Sequence, residues 1–235
     1  MFIGLLIFFI TAGGFTAIVK QIRPRIAGGT GVPGIVVSKS YVGVDDFETA
    51  DGDIGVTFAN VEPAGGPADK AGLVGGDIIT TIDGKAVHSD DEAQDIMRST
   101  PIGKTVDIVY IRDGETKNTK LTTIAEGELE RLNEVFSARP EGRGQFGYED
   151  GEANRVEIPG TKMFGVQLGE ILANRPADIA GVKQGDIVIE FGGVPIRTTD
   201  EFLSRVRRAV PYSTVDLLII RDGQQLKIPV KMGKG

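Results

Sequence analysis

Catalysis needs reactive side chains at workable spacing, and this chain offers few. His88 is the single histidine among 235 residues, and there is no cysteine. A serine hydrolase would have to use His88 as its base, and no Gly-x-Ser-x-Gly turn accompanies it. A zinc site of the His-Glu-x-x-His kind needs two histidines on one helix face. Without thiols there is no thiolate nucleophile, no disulfide and no cysteine-held zinc. The glycine-rich stretch 27–34 lacks the Lys-Ser/Thr of a phosphate-binding loop. The residues therefore predict no catalysis, no metal and no cofactor. His88 reads as a surface turn residue.

What the chain does carry is repetition. Pro67-Ala-Asp-Lys-Ala-Gly-Leu-Val-Gly-Gly-Asp-Ile-Ile79 returns as Pro176-Ala-Asp-Ile-Ala-Gly-Val-Lys-Gln-Gly-Asp-Ile-Val188. Arg112-Asp-Gly114 returns as Arg221-Asp-Gly223, and the step from Arg112 to Arg221 equals the step from Pro67 to Pro176. From Pro67 to Gly114 the register holds without a gap, and about 19 of 48 positions are identical. Drift in a low-complexity segment would not keep register that long. The period exceeds the roughly 20–50 residues of a solenoid repeat and suits a small domain that closes its own core.

Composition limits the partners. A hydrophobic content of 40% and a charged content of 25% are ordinary for globular chains. Net charge is −7, with no basic stripe, which argues against nucleic acid. The run from Phe2 to Val19 is different: it carries no charge, and its length is near the lower limit for a bilayer-spanning helix. A cleaved signal peptide would show a basic n-region and a small-x-small cleavage site, and neither is present. Residues 1–20 are expected to anchor the chain in a lipid bilayer as a transmembrane helix, with 21–39 as a flexible stalk. Lys20, Arg23 and Arg25 follow the span, which by the positive-inside rule favours a cytoplasmic bulk.

Each copy reads as strand, short helix, strand, longer helix and a terminal strand pair. In the first copy, Ile54–Val61 alternates as a half-buried strand. Ala68–Leu73 is a short helix stopped by Gly75-Gly76. Ile78–Ile82 is a strand before the Asp83-Gly84 turn. Ser89 or Asp90 caps a helix to about Ser99, and Val106–Ile111 and Thr119–Ile124 flank Arg112-Asp113-Gly114. In the second copy, strands are expected at Gly165–Leu172, Ile187–Phe191, Val215–Ile220 and Leu226–Lys231, with helices at Ala177–Val182 and Asp200–Val210. Between the copies, 126–143 is a linker in which Glu126–Phe136 reads as a short helix, apolar at Leu129, Leu132 and Phe136. Gly72 and Gly181 suit left-handed helix ends, and Asp77 and Asp186 tie turns through their side chains.

Gly-Pro-Ala-Asp-x-Ala-Gly-Leu (66–73), Gly-Asp-Ile-Ile (76–79) and the closing Arg-Asp-Gly, in order and in two copies, resemble a bacterial PDZ domain. The circularly permuted form of HtrA-type and tail-specific proteases fits best. The resemblance implies an α+β fold: two PDZ-like, partly open antiparallel β-barrels, each with two helices, at 40–125 and 144–235. It also implies a site in each copy, where a protein C-terminus or extended peptide adds as a strand beside the longer helix. A loop there offers N–H groups to the terminal carboxylate. In the first copy that loop matches Tyr41-Val42-Gly43-Val44, with Ala93 and Met97 on the helix. In the second it matches Phe146-Gly147-Tyr148, with Phe202 and Val206 on the helix. Met163-Phe164-Gly165-Val166 is the rival second loop, and the four helix residues read equally as core. Neither loop has a basic residue beside it in sequence. The expected function is a non-catalytic, membrane-tethered adaptor for protein tails. The alternative is a regulatory or structural subunit of a separate membrane protease or secretion complex. The resemblance favours an extracytoplasmic, periplasmic location for the soluble part.

Overall fold

Asp-Gly and Gly-Gly pairs set the hairpins of this fold, because a two-residue turn between antiparallel strands needs positive φ at both positions. Asp83-Gly84 (φ 51° and 77°), Asp113-Gly114 (56° and 78°) and Asp222-Gly223 (50° and 75°) all adopt it. Gly192-Gly193 does so as well (60° and 79°). The protein is described by a computed structural model covering residues 40–45, 47–149 and 153–235. The expected anchor and stalk lie outside these residues. Among the described residues no helix is long and apolar enough to cross a membrane.

Two six-stranded antiparallel sheets follow one plan. The first runs Glu48–Thr49, Val56–Thr57, Ile78–Ile82, Thr105–Arg112, Glu115–Thr122, with Lys85–Ala86 against Ile78–Ile82. The second runs Asn154–Glu157, Phe164–Gln167, Ile187–Phe191, Thr214–Arg221, Gln224–Lys231, with Val194–Pro195 against Ile187–Phe191. Even the irregularity is duplicated: the register slips between Ile79 and Thr81, and again between Val188 and Glu190. A short ladder closes each copy, Ser40–Tyr41 on Ile124–Ala125 and Gly144–Gln145 on Gly233–Lys234. This is the expected α+β pair of domains, with shorter first strands. Val56–Thr57 stands where Ile54–Val61 was expected, because beyond it the Phe58 carbonyl accepts Gly76 N–H (2.8 Å) instead of a ladder partner.

Five α-helices complete the described residues: α1 (Pro67–Lys70), α2 (Asp90–Ser99), α3 (Glu126–Ser137), α4 (Pro176–Ile179) and α5 (Thr199–Arg208). Proline opens α1 and α4, where its missing N–H has no helical partner to lose. Ser89 caps α2 by accepting Glu92 N–H, and Thr198 caps α5 by accepting Glu201 N–H. Asp77 and Asp186 tie their turns as expected, accepting Val74 N–H (2.9 Å) and Lys183 N–H (2.8 Å). Each is also gripped by an arginine further along the chain, Arg112 or Arg221, at 2.6 Å on both carboxylate oxygens.

The two cores hold equivalent positions with different side chains. In the first, Val42, Val44, Ile82 and Ala93 meet beneath α2. In the second, Phe146, Tyr148, Phe191 and Phe202 stand in their places beneath α5. Phe202 packs edge-on to Phe146 (5.4 Å) and Phe191 (6.0 Å). Aliphatic positions of the first copy correspond to aromatic ones in the second, so the larger side chains there are packed against one another.

The copies are also joined. Glu201 is fully buried, and its carboxylate accepts Val61 N–H (3.1 Å) and Gly75 N–H (2.9 Å) from the first domain. Arg205 bonds Glu201 (2.6 Å) and Asp69 (2.8 Å). Arg208 donates to the Val61 carbonyl, Thr198 to the Ala59 carbonyl, and Arg197 chelates Asp113 (2.6 and 2.8 Å). The counterpart of Glu201 in the first copy, Glu92, instead accepts His88 N–H at the start of its own helix (2.8 Å).

Candidate functional site

A glycine with positive φ shapes the key loop of each copy. Gly43 has φ 80° and Gly147 has φ 97°. A Cβ on Gly147 would lie 2.2 Å from Arg175 Cβ, so both space and backbone select glycine. The loops are held identically. Ala68 N–H donates to Val42 O and Glu62 N–H to Gly43 O (2.8 and 3.1 Å). Ala177 N–H donates to Phe146 O and Leu172 N–H to Gly147 O (2.8 and 3.0 Å). These bonds align Phe146-Gly147-Tyr148 with Val42-Gly43-Val44. The rival segment Met163–Val166 runs into the sheet strand Phe164–Gln167 instead.

Val44 then pairs with Val61, flanked by Glu62 N–H to Gly43 O and Asp45 N–H to Asn60 O. In that antiparallel pattern Val44 turns its own N–H and C=O the other way, toward α2. Tyr148 pairs with Ile171 under the same two flanking bonds. Each loop therefore leads into a sheet edge that faces the longer helix.

Between edge and helix lies a cleft. The first encloses about 340 Å³ and is lined by Tyr41, Val42, Gly43, Val44 and Phe47 from the loop and edge. Gln94, Met97 and Arg98 line it from α2, and Leu129 from α3. The second encloses about 440 Å³, with Phe146, Gly147, Tyr148 and Leu172 facing Leu203, Val206 and Arg207 of α5. The helices run the same way along both. The C-terminal end of α2 meets the loop, where Ser40 donates to the Met97 carbonyl (2.6 Å). Its N-terminal end meets the sheet edge through Thr49 and Asp90 (2.9 Å). In the second copy Arg155 spans that far end, donating to the Arg197 carbonyl (3.0 Å).

Nine of the eleven expected positions thus line the two clefts. Ala93 and Phe202 do not. Both are fully buried and belong to the core beneath the helices. The helical period explains this: the cleft face carries positions 94, 97 and 98, and 203, 206 and 207, while 93 and 202 point inward. No basic residue adjoins either loop in sequence, yet each cleft has one in its lining. Arg98 and Arg207 reach the clefts from the helices. They were invisible beside the loops because each lies far downstream in the chain. Their recurrence at the offset of the repeat was the signal that could have found them.

Electrostatics around the first loop is local. Tyr41 donates its hydroxyl to Glu126 (2.9 Å), which raises the phenol pKa above its ordinary value and ties the loop to α3. Burial raises the Asp45 carboxyl, against the opposing hydrogen bond from Asn60 N–H. His88 is exposed, with Nδ1 3.1 Å from the Asp53 carbonyl oxygen, and lines neither cleft. Among the described residues no cluster of side chains fits a metal ion.

Known proteins are similar to this chain in sequence. It is 26% identical over 201 residues to "Magnetosome formation protease MamE" of Magnetospirillum gryphiswaldense, covering 73% of this chain and 26% of that protein. It is 24% identical over 210 residues to a "Probable periplasmic serine endoprotease DegP-like" of Pseudomonas fluorescens, covering 84% of this chain and 44% of that protein. The chain therefore spans less than half the length of these relatives. Among solved structures it is similar to a serine endoprotease from Yersinia pestis, at 28% identity, with 38% of this chain and 30% of that one covered and a TM-score of 0.33. Residues 34–123 and 146–232 match the PDZ domain family, so this chain, with a glycine loop, a sheet edge and a helix framing a cleft in each copy, belongs to the PDZ family.

Proposed function

We propose that the chain is a non-catalytic adaptor that captures protein C-termini or extended segments in its two clefts. The observation that supports it most directly is the open sheet edge at Val44, whose N–H and C=O face α2 across a cleft of mixed polar and apolar lining. A peptide entering there gains ladder hydrogen bonds from the backbone and side-chain contacts from Met97 and Leu129. The cleft-facing helix residues differ between copies, Gln94 and Met97 against Leu203 and Val206, so the two clefts select different tails. Two weak sites on one chain also favour a partner that offers two tails, through effective concentration.

The adaptor is tethered in this reading. The uncharged run from Phe2 to Val19 spans the bilayer once, with the PDZ domains on the extracytoplasmic side. The word "periplasmic" in the name of the Pseudomonas relative supports that side. Protease accessibility in spheroplasts tests it: digestion from outside agrees, and protection contradicts.

The protease names of the relatives favour a second reading, in which the domains are a regulatory part that packs on a separate protease. Panning the full chain against a displayed library of C-terminal peptides separates the two. The adaptor reading expects two enriched tail classes, one lost in Met97→Lys and the other in Val206→Lys. No enrichment contradicts it.

A further inference from the structure

We propose that Arg98 and Arg207 are specificity-determining residues that pair with a carboxylate of the bound tail. The inference rests on the tail-binding reading above.

The two arginines are one position in two copies, separated by the same step as Pro67 and Pro176. Each lines its cleft together with the glycine of the loop, Gly43 or Gly147. Both sit at the loop end of the helix. Ser40 bonds the Met97 carbonyl beside Arg98 (2.6 Å). A Cβ on Gly144 would lie 2.4 Å from the Val206 carbonyl oxygen, beside Arg207. Of the helix positions that face the clefts, this one alone is the same residue in both copies. Gln94 becomes Leu203 and Met97 becomes Val206, whereas arginine stays arginine. A position kept while its cleft-facing neighbours changed answers to something both ligands share. Different tails share a carboxylate.

The chain carries −7 overall, so its general field repels an anionic tail. At physiological ionic strength that field fades within about 8 Å, which leaves the charges that line each cleft, Arg98 with Asp45 in the first and Arg207 with Glu149 in the second, and of these only the guanidinium can pair with a carboxylate. A guanidinium also presents a planar fork that matches a carboxylate. The two sites differ in readiness. Arg98 is held by Asp95 (2.8 Å) and Gln94 (2.9 Å). At the position of Asp95 the second copy has Ser204, so Arg207 lacks that competing carboxylate.

The carboxylate comes either from the chain terminus or from an acidic side chain near it, and the test distinguishes them. The probes are the tails enriched by display, each synthesised as the free acid, as the amide, and as the amide with a terminal aspartate. Binding to the full chain is measured for the native protein and for the Gln and Lys variants at 98 and 207. The expected preference for acid over amide is about three- to tenfold at the second cleft and smaller at the first. Arg207→Gln should erase it and Arg207→Lys should keep part of it. Recovery by the terminal-aspartate amide assigns the side chain as source and also supports the pairing, whereas no recovery assigns the terminus. If acid and amide bind alike, or if the preference survives Arg98→Gln and Arg207→Gln, the pairing is overturned while tail binding stands. If no tail is enriched, the tail-binding reading falls, and the pairing with it.

Discussion

Tyr212 occupies a backbone conformation that glycine holds in the other copy. Its φ is 66°, and that of its counterpart Gly103 is 76°. The same turn bond forces both, Tyr212 N–H to Met232 O and Gly103 N–H to Thr123 O. A left-handed conformation costs a side-chain-bearing residue roughly 1–2 kcal/mol, part of which glycine returns as unfolded-state entropy. Tyr212→Gly is expected to stabilise the protein by about 0.5–1 kcal/mol in urea unfolding. Unchanged or lower stability would show that the exposed tyrosine ring makes up the difference. At this scale the sequence was most legible where one residue type has one conformational use. Asp83-Gly84 and Asp113-Gly114 announced their turns, and Gly72 and Gly181 their helix ends. It was least legible where meaning depends on what a side chain meets. Arg98 lines the first cleft from α2, and nothing in its local sequence announces that.

Helix α5 works on two faces, and this explains what the strand and helix patterns alone could not reach. Leu203, Val206 and Arg207 line the second cleft, while Glu201, Arg205 and Arg208 face the first domain. Arg139 holds its last turn, donating to the Arg207 and Arg208 carbonyls (3.0 and 2.8 Å). Removing the Glu201 carboxylate would strand Val61 N–H and Gly75 N–H without their acceptor and leave Arg205 with Asp69 alone. A broken buried network of this kind costs about 3–5 kcal/mol. Glu201→Ala is expected to lower stability by that order in urea unfolding, whereas Glu92→Ala, at the exposed counterpart, should cost about 1 kcal/mol or less. Equal losses would contradict the two-faced assignment. The capping residue located α2, apolar spacing α3 and the repeat α5, each to within a few residues. These signals could not say which polar face of α5 would be buried, because the acceptors and donors lie in another domain.

The duplicated scaffold is joined asymmetrically at the scale of the whole molecule. The constant offset between the copies made the two domains visible in sequence, since repeated packing demands repeated residues. The junction between them left no such trace. Its arginines are unlike their counterparts, Arg197 standing for His88, Arg205 for Ile96 and Arg208 for Ser99, while its acids Glu201 and Asp113 repeat as Glu92 and Asp222 and so mark nothing. The described residues form one compact unit, in which the second domain docks through the helix that also frames its cleft. Because the chain has no cysteine, spin labels placed at Lys120→Cys and Lys227→Cys report the distance between domains without background. The native chain should give one narrow distance distribution, and Glu201→Ala a broad one. A broad native distribution would contradict a fixed junction. The central claim is that a tail adds as a strand to the edge beside each longer helix. Amide hydrogen exchange of the full chain, with and without a display-enriched tail, tests it most directly. Protection is predicted along 43–48 and 147–149 and at the facing turns of α2 and α5. Protection elsewhere, or none at saturation, would contradict it.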